Sequence, residues 1–292
     1  MKAIELHLYL PFSYWLARDP ETGVPLQKPD ARAVARTLQA LCAELDSMKE
    51  DYADCEVTAI RFRGGYLSLL DAEDLSRLLQ RVRRAFHVRG DCPICGPMFP
   101  GQLDMQMIAL YRNEHVSPLL FELPSLSFRE CERLGFPVAL QALDKTVYFL
   151  ENFNEGEWGL RLPIGIEGRD ADYWQFVLGQ LYHYRPTYLQ FFGIAPDKAE
   201  HPAFAEICAE LQTHGYRRAA ENVFSLSEKV PLLLPDPAPG ADFVGAGLGA
   251  RSFIDGCRVR STIDPARYFQ NCRDWRKLVE QVEEAAPSTE CT

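Results

Sequence analysis

Apolar positions recur along this chain with two periods, and the two alternate. The first run, Ile4-Glu5-Leu6-His7-Leu8-Tyr9-Leu10, reads as a strand, and its alternation puts His7 and Tyr9 on one face. Val57-Thr58-Ala59-Ile60-Arg61-Phe62 is a second strand, rich in β-formers and closed by the turn Gly64-Gly65. Asp71 is placed to cap a helix in which Leu75, Leu78, Leu79, Val82 and Phe86 fall at helical spacing. The spacing predicts further helices over 102–114, 127–134, 138–151, 170–184 and 201–214. Between them lie the short run 118–121 and strands over 158–162 and 188–194. Pro231, Pro235, Pro237 and Pro239 interrupt helix and ladder alike, so 228–242 reads as an irregular crossing loop.

Repeated strand–helix units predict a parallel sheet with helices outside, and right-handed crossovers curl such a sheet into a full or partial (β/α) barrel. No other internal repeat is evident. With 292 residues the chain is long enough for one large domain, expected over 1–284, with a frayed tail at 285–292. A net charge of −10 argues against a nucleic-acid or acidic-membrane surface. Arg81, Arg83 and Arg84 read as a solvated helix end. The chain opens directly on a strand, shows no leader pattern and has no apolar run of spanning length, so a cytoplasmic protein is expected. Nine irregularly spaced cysteines read as buried apolar residues of a reducing compartment. Cys92-Pro93-Ile94-Cys95 lacks the second pair that zinc or a cluster needs, so no metal site is expected there.

A series of short motifs carries a resemblance. Leu8-Tyr9-Leu10-Pro11-Phe12 leads into Ser13, Ala17 and Pro20. There follow Phe62-Arg63-Gly64-Gly65-Tyr66-Leu67-Ser68-Leu69-Leu70, Phe99-Pro100-Gly101, Phe121-Glu122-Leu123-Pro124-Ser125 and Arg133-Leu134-Gly135. Pro163-Ile164-Gly165-Ile166-Glu167-Gly168-Arg169, Leu189–Ile194 and Gly245–Phe253 complete the series. In this order they resemble the oxygen-independent coproporphyrinogen III oxidases and related haem chaperones of the radical SAM superfamily. The resemblance implies an α/β fold, an open (β/α)6 partial TIM barrel, here without the family's additional C-terminal helical domain. It also implies a site for S-adenosylmethionine (SAM) at Gly64, Gly65, Tyr66, Ser125, Gly165, Ile166 and Gly168.

The departures from the family are in its polar chemistry. Its three iron–sulfur cysteines fall on Ser13, Ala17 and Pro20, none of which supplies a thiolate, so no cluster is expected. The SAM-contacting Glu and Gln fall on Pro97 and Pro124, and an Asp falls on Arg161. The Tyr and His of the first strand are exchanged, as His7 and Tyr9. Either can serve as a proton-handling group or be a hydrogen-bonded core residue. Arg161 can meet a substrate carboxylate or pair with Glu122. Arg251, where the family has His, can meet an acidic substrate group. Glu167 and Arg169 can bond a ribose or carboxylate, or form an exposed turn. Aromatic bulk such as Tyr14 and Trp15 can fill the space the cluster left. Two functions follow from the resemblance. One is an enzyme that uses SAM as a plain electrophile on a small-molecule substrate, by transfer, cyclisation or elimination. The other is a non-catalytic partner, carrier or regulatory subunit.

Overall fold

The structure is a computed structural model. It describes residues 1–101, 103–136, 138–153, 157–193, 204–229 and 240–284. Ile194, the proline-rich stretch from Pro231 to Pro239 and the tail at 285–292 lie outside the described residues.

Strand β1 (Lys2–Tyr9) leads through a long loop into helix α1 (Ala31–Met48), then β2 (Cys55–Arg63) and α2 (Ala72–Ala85). Three short strands follow, β3 (His87–Val88), β4 (Ile94–Cys95) and β5 (Pro97–Met98), before α3 (Met105–Asn113). Next come β6 (Leu119–Glu122), α4 (Phe128–Arg133), α5 (Ala139–Phe153), β7 (Trp158–Ile164), α6 (Ala171–Tyr184) and β8 (Tyr188–Gly193). Helix α7 (Phe204–Thr213) precedes the hairpin β9 (Arg217–Ala220) and β10 (Val223–Ser225). The last part holds β11 (Phe243–Ala246), β12 (Arg251–Ile254), β13 (Cys257–Ser261), α8 (Pro265–Asn271) and β14 (Val279–Glu284).

One sheet runs β14-β13-β12-β11-β1-β2-β3, with β4 also on β2, and the other runs β5-β6-β7-β8-β10-β9. Only Gly96 separates β4 from β5, so together they occupy one strand position between β2 and β6. A Cβ at Gly96 would lie 2.6 Å from the Cβ of Phe62, which is why the chain crosses β2 there on a glycine. The strand positions β1, β2, β4/β5, β6, β7 and β8 are parallel. The sheet does not close, because β8 pairs with antiparallel β10 and β1 with β11. This is the open six-unit barrel.

The helices begin where short polar side chains can bind the free N–H groups of the first turn. Asp30, Asp71, Asp104, Asp170 and Asp264 each accept a backbone N–H at a helix start, a contact worth about 0.5–2 kcal/mol. The apolar stripe Val34, Leu38, Leu41 and Leu45 of α1 packs in one core with Ile4, Leu6, Leu8, Ile60, Phe62, Phe121, Leu160 and Phe191 from the strands. Alternate strand residues therefore face the helices, and the residues between them face the lumen. No helix among the described residues is long and apolar enough to cross a membrane.

Candidate functional site

Strand alternation sets the lumen. Its facing residues include Glu5, His7 and Tyr9 from β1, Arg61 and Arg63 from β2, and Glu122 and Arg161 from the register-paired β6 and β7. Among these charges, on β1 and β2, is a triad that sequence reasoning did not assemble. Arg61 donates to Glu5 through Nε at 2.6 Å and Nη2 at 3.3 Å, and His7 Nε2 lies 3.1 Å from the same carboxylate. Burial alone would raise the Glu5 carboxyl, but its bonds to His7 and Arg61 outweigh it and hold the group down to about 2. Burial pushes His7 down to about 4, against the opposing pull of Glu5, so the ring is neutral at pH 7. Phe243 stacks on that ring at 4.4 Å and 13°. His7 and Tyr9 do share a face, and both are buried, with the Tyr9 phenol raised by burial.

Nearer the strand ends, Arg161 pairs with Glu122 and its guanidinium lies 4.0 Å over the Phe192 ring. The Tyr66 hydroxyl donates to Glu122 at 3.2 Å, and Trp15 Nε1 donates to that hydroxyl at 3.1 Å. A single chain of contacts thus runs from the loop after β1 across the barrel to β7. The mouth above it is aromatic. Tyr14 lies 5.7 Å from Tyr66, 4.8 Å from Phe99 and 5.3 Å from Phe136, and Phe99 meets Phe136 edge-on at 4.8 Å.

The loop that carries Tyr14 and Trp15 is fixed along its length. Ser13 N bonds Gln27 O at 2.9 Å, Leu26 N bonds Ala17 O at 2.9 Å, and Asp19 N bonds Val24 O at 2.9 Å. Asp19 Oδ1 accepts from the backbone of Glu21 and Thr22 and from the Thr22 hydroxyl. Arg251 donates to the Glu21 carbonyl, Arg260 to the Thr22 carbonyl at 3.1 Å, and Arg63 lies 3.7 Å from the Glu21 carboxylate. Arg251 thus sits on β12, beside the loop.

The glycines at the mouth divide into two kinds. A Cβ on Gly65 would sit 2.6 Å from Leu10 O and 2.7 Å from Phe12 O, and one on Gly64 would sit 3.0 Å from Leu10 O. This pair lets the β2 turn press against the exit of β1. Gly168, with φ of +83°, has nothing within 4 Å, and Gly165 has φ of +90°. Ile166 beside them is half-buried. Ser125 exchanges a 2.8 Å hydrogen bond with Tyr173 and accepts from Ser127 N at 2.9 Å. Arg169 is not on an exposed turn: it is buried, and it donates to Pro163 O at 2.7 Å and Pro124 O at 2.6 Å, tying the loop after β6 to the loop after β7. Cys92 joins the helix-side core while Cys95 packs against Ala59 in the lumen, and burial raises each thiol to about 11.

The fold family implies a cluster and SAM, and the residues at the three cluster positions do not fit a cluster. At the cluster positions, Ser13 Oγ already accepts from Trp15 N at 3.3 Å and Leu16 N at 3.0 Å, and Ala17 and Pro20 carry no donor. Among the described residues no group of three or more His, Cys, Asp or Glu side chains is placed to hold a metal ion. At the SAM positions, Gly65 is covered by two carbonyls, Ser125 is satisfied by Tyr173, and Tyr66 lies under Tyr14.

No family model and no curated protein matches the chain. Among solved structures, coproporphyrinogen III oxidase (HemN) from Escherichia coli, described as a radical SAM enzyme, superposes with a TM-score of 0.81 at 16% identity. That match covers 98% of this chain and 72% of the other. A histidine-tagged anSMEcpe with bound AdoMet gives a TM-score of 0.50 at 10% identity, over 95% of this chain and 82% of the other. The chain therefore carries the radical SAM fold, an open (β/α)6 barrel of the coproporphyrinogen III oxidase type.

Proposed function

We propose that this protein is a radical SAM-fold partner or regulatory subunit that performs no radical chemistry. One observation carries the reading: Tyr14 is lodged among Tyr66, Phe99 and Phe136 at the strand ends, where the family holds its reactants. The replacement of thiolates at Ser13, Ala17 and Pro20 removes the donors that a cluster requires. The loop that would carry them is held by its own backbone and by Arg251 and Arg260. Met105, Phe128 and Val138 are exposed at the starts of α3, α4 and α5, on the mouth side of the barrel.

A second reading, polar use of SAM on a small-molecule substrate, has one observation in its favour. The Arg161 side chain keeps 24% exposure at the strand ends, enough to meet a carboxylate. In that reading Arg161 or Arg251 orients the substrate, His7 or Tyr9 handles a proton, and Gly64, Gly65, Tyr66, Ser125, Gly165, Ile166 and Gly168 hold SAM. The depressed pKa of His7 leaves it neutral, as a base must be, but Phe243 covers its ring.

The favoured reading is tested by anaerobic reconstitution with ferrous iron and sulfide, followed by reduction in the presence of SAM. The expected result is iron and sulfide far below stoichiometry and no 5′-deoxyadenosine. A stoichiometric cluster that cleaves SAM would overturn the reading.

A further inference from the structure

Glu44 lies in the C-terminal half of α1, 3% exposed, the one charged residue on a buried face made of Val34, Thr37, Leu38, Ala40, Leu41, Leu45 and Met48. Its Oε2 accepts two hydrogen bonds, from Gly247 N at 2.8 Å and from the Tyr268 hydroxyl at 2.9 Å. No cation balances it among the described residues. The titratable groups packed around it are the Tyr268 phenol on α8, the Cys272 thiol just beyond that helix and the Tyr52 phenol after α1. Ser252 on β12, Ser261 on β13 and Trp275 complete the polar surroundings, while β11 and β14 present Gly245 and Val279. A cavity of about 20 Å³ adjoins the carboxyl, room for about one water molecule. It is lined in part by Ser261, whose buried Oγ has no hydrogen-bond partner among the described residues.

The turn that Glu44 holds is the one that fastens the mouth loop. Gly247, with φ of +114°, packs against the end of β1, where a Cβ would sit 2.5 Å from Tyr9 O. Two residues on, Gly249 presses on Val24 so closely that a Cβ would fall 2.0 Å from its Cγ2. Val24, Leu248, Tyr268, Ala40 and Leu278 form a separate small core. Val24 O in turn anchors Asp19 N. A rigid relay thus runs from the Glu44 carboxyl through residues 247–249 to the loop over the barrel mouth.

We propose that Glu44 is a proton-operated latch: protonated, it holds the 247–249 turn and the mouth loop 17–27 shut, and ionised, it loosens both. Ionisation leaves a full charge in a buried site with two hydrogen bonds and no counter-ion, which is costly. Burial accordingly raises the carboxyl from 4.5 to about 7, with the bonds from Tyr268 and Gly247 opposing it. The closed state therefore keeps its proton to higher pH than an opened state in which the carboxyl meets water. Closure weakens as pH rises from about 4.5 to about 7 and changes no further above that. The proposal does not depend on how the mouth is used.

The test is hydrogen–deuterium exchange of peptides spanning residues 17–27, corrected for intrinsic rates, at several pH values between 5 and 8.5. Wild-type protection should fall by about tenfold per pH unit up to the midpoint and then level off. Glu44→Gln, which keeps an acceptor oxygen but cannot ionise, should hold the low-pH protection throughout. Tyr268→Phe removes a donor to the carboxylate and should move the levelling point to higher pH. A Glu44→Gln protein that follows the wild-type profile would overturn the proposal. So would a Tyr268→Phe profile unchanged from wild type, which decides the matter should Glu44→Gln not fold.

Discussion

Replacing Gly65 by Ala separates a packing glycine from a ligand-cradling one, because the two roles predict opposite signs. The added methyl carbon would meet Leu10 O at 2.6 Å, Phe12 O at 2.7 Å and Phe12 N at 3.2 Å. All three are backbone atoms of a segment that is itself bonded, Leu10 N to Arg63 O at 2.9 Å and Phe12 N to Leu10 O at 2.9 Å. No flexible side chain can yield, so the exit of β1 must move by several tenths of an ångström. Overpacking of this kind costs about 1–3 kcal/mol. For a domain of this size that is a fall in melting temperature of roughly 2–5 °C. Gly65 does not adopt a left-handed backbone, so alanine incurs no conformational penalty there. If the glycine instead faced open ligand space, alanine would be neutral or would stabilise by about 0.4–1 kcal/mol through the unfolded chain. Urea unfolding with an unchanged m-value reads the difference. An unchanged or raised midpoint would refute the packing argument.

Other outcomes follow from the lumen. Arg161→Ala strands the Glu122 carboxylate, which has 5% side-chain exposure, and should cost about 3–5 kcal/mol in urea unfolding. The double change Arg161→Met, Glu122→Leu should recover most of that loss. Glu5 is held down from 4.5 to about 2, so its contribution is complete above pH 4.5 and is lost as pH falls through about 2. Glu5→Gln should flatten the acid limb of a pH–melting profile in that range. His7 is depressed from 6.5 to about 4, so the stability tied to its neutral ring is lost as pH falls from 6.5 through about 4. His7→Gln should remove the slope between those values. Gly168→Ala meets nothing within 4 Å but must hold φ near +83°, and should cost about 1–2 kcal/mol by backbone strain alone.

The barrel was legible because its signals are local and repeated. Asp71 does cap α2, and the predicted strands 57–62, 158–162 and 188–194 fall inside or against β2, β7 and β8. Helix 201–214 begins at Phe204 among the described residues. Helix α1 went unread although Asp30 followed by Val34, Leu38, Leu41 and Leu45 carries a cap and a helical stripe. The antiparallel strands β12 to β14 were also missed, because Gly245–Ser252 reads as a glycine-rich loop until pairing partners are known.

For the site, the lumen-facing alternation of His7 and Tyr9 was readable from one strand. The Glu5–Arg61–His7 triad was not, since it depends on the register between β1 and β2, which a bulge near Ile4 shifts by one residue. The pairing of Arg161 with Glu122 followed from two unusual substitutions on neighbouring strands. Arg169 escaped as a clamp because two of its acceptors, Pro124 O and Pro163 O, are backbone carbonyls, which leave no mark in sequence, and its third, Glu130, lies on α4, 39 residues away. The role of Gly65 needed the position of Leu10 and Phe12, a contact between loops rather than within one.

The central proposal is that Tyr14, packed on Tyr66, Phe99 and Phe136, occupies the mouth where the family holds SAM. Calorimetric titration of SAM into the protein at pH 7 tests it most directly. No binding heat beyond dilution is expected at millimolar ligand. Saturable binding in the micromolar range, lost on Gly65→Ala or Ser125→Ala, would contradict the claim.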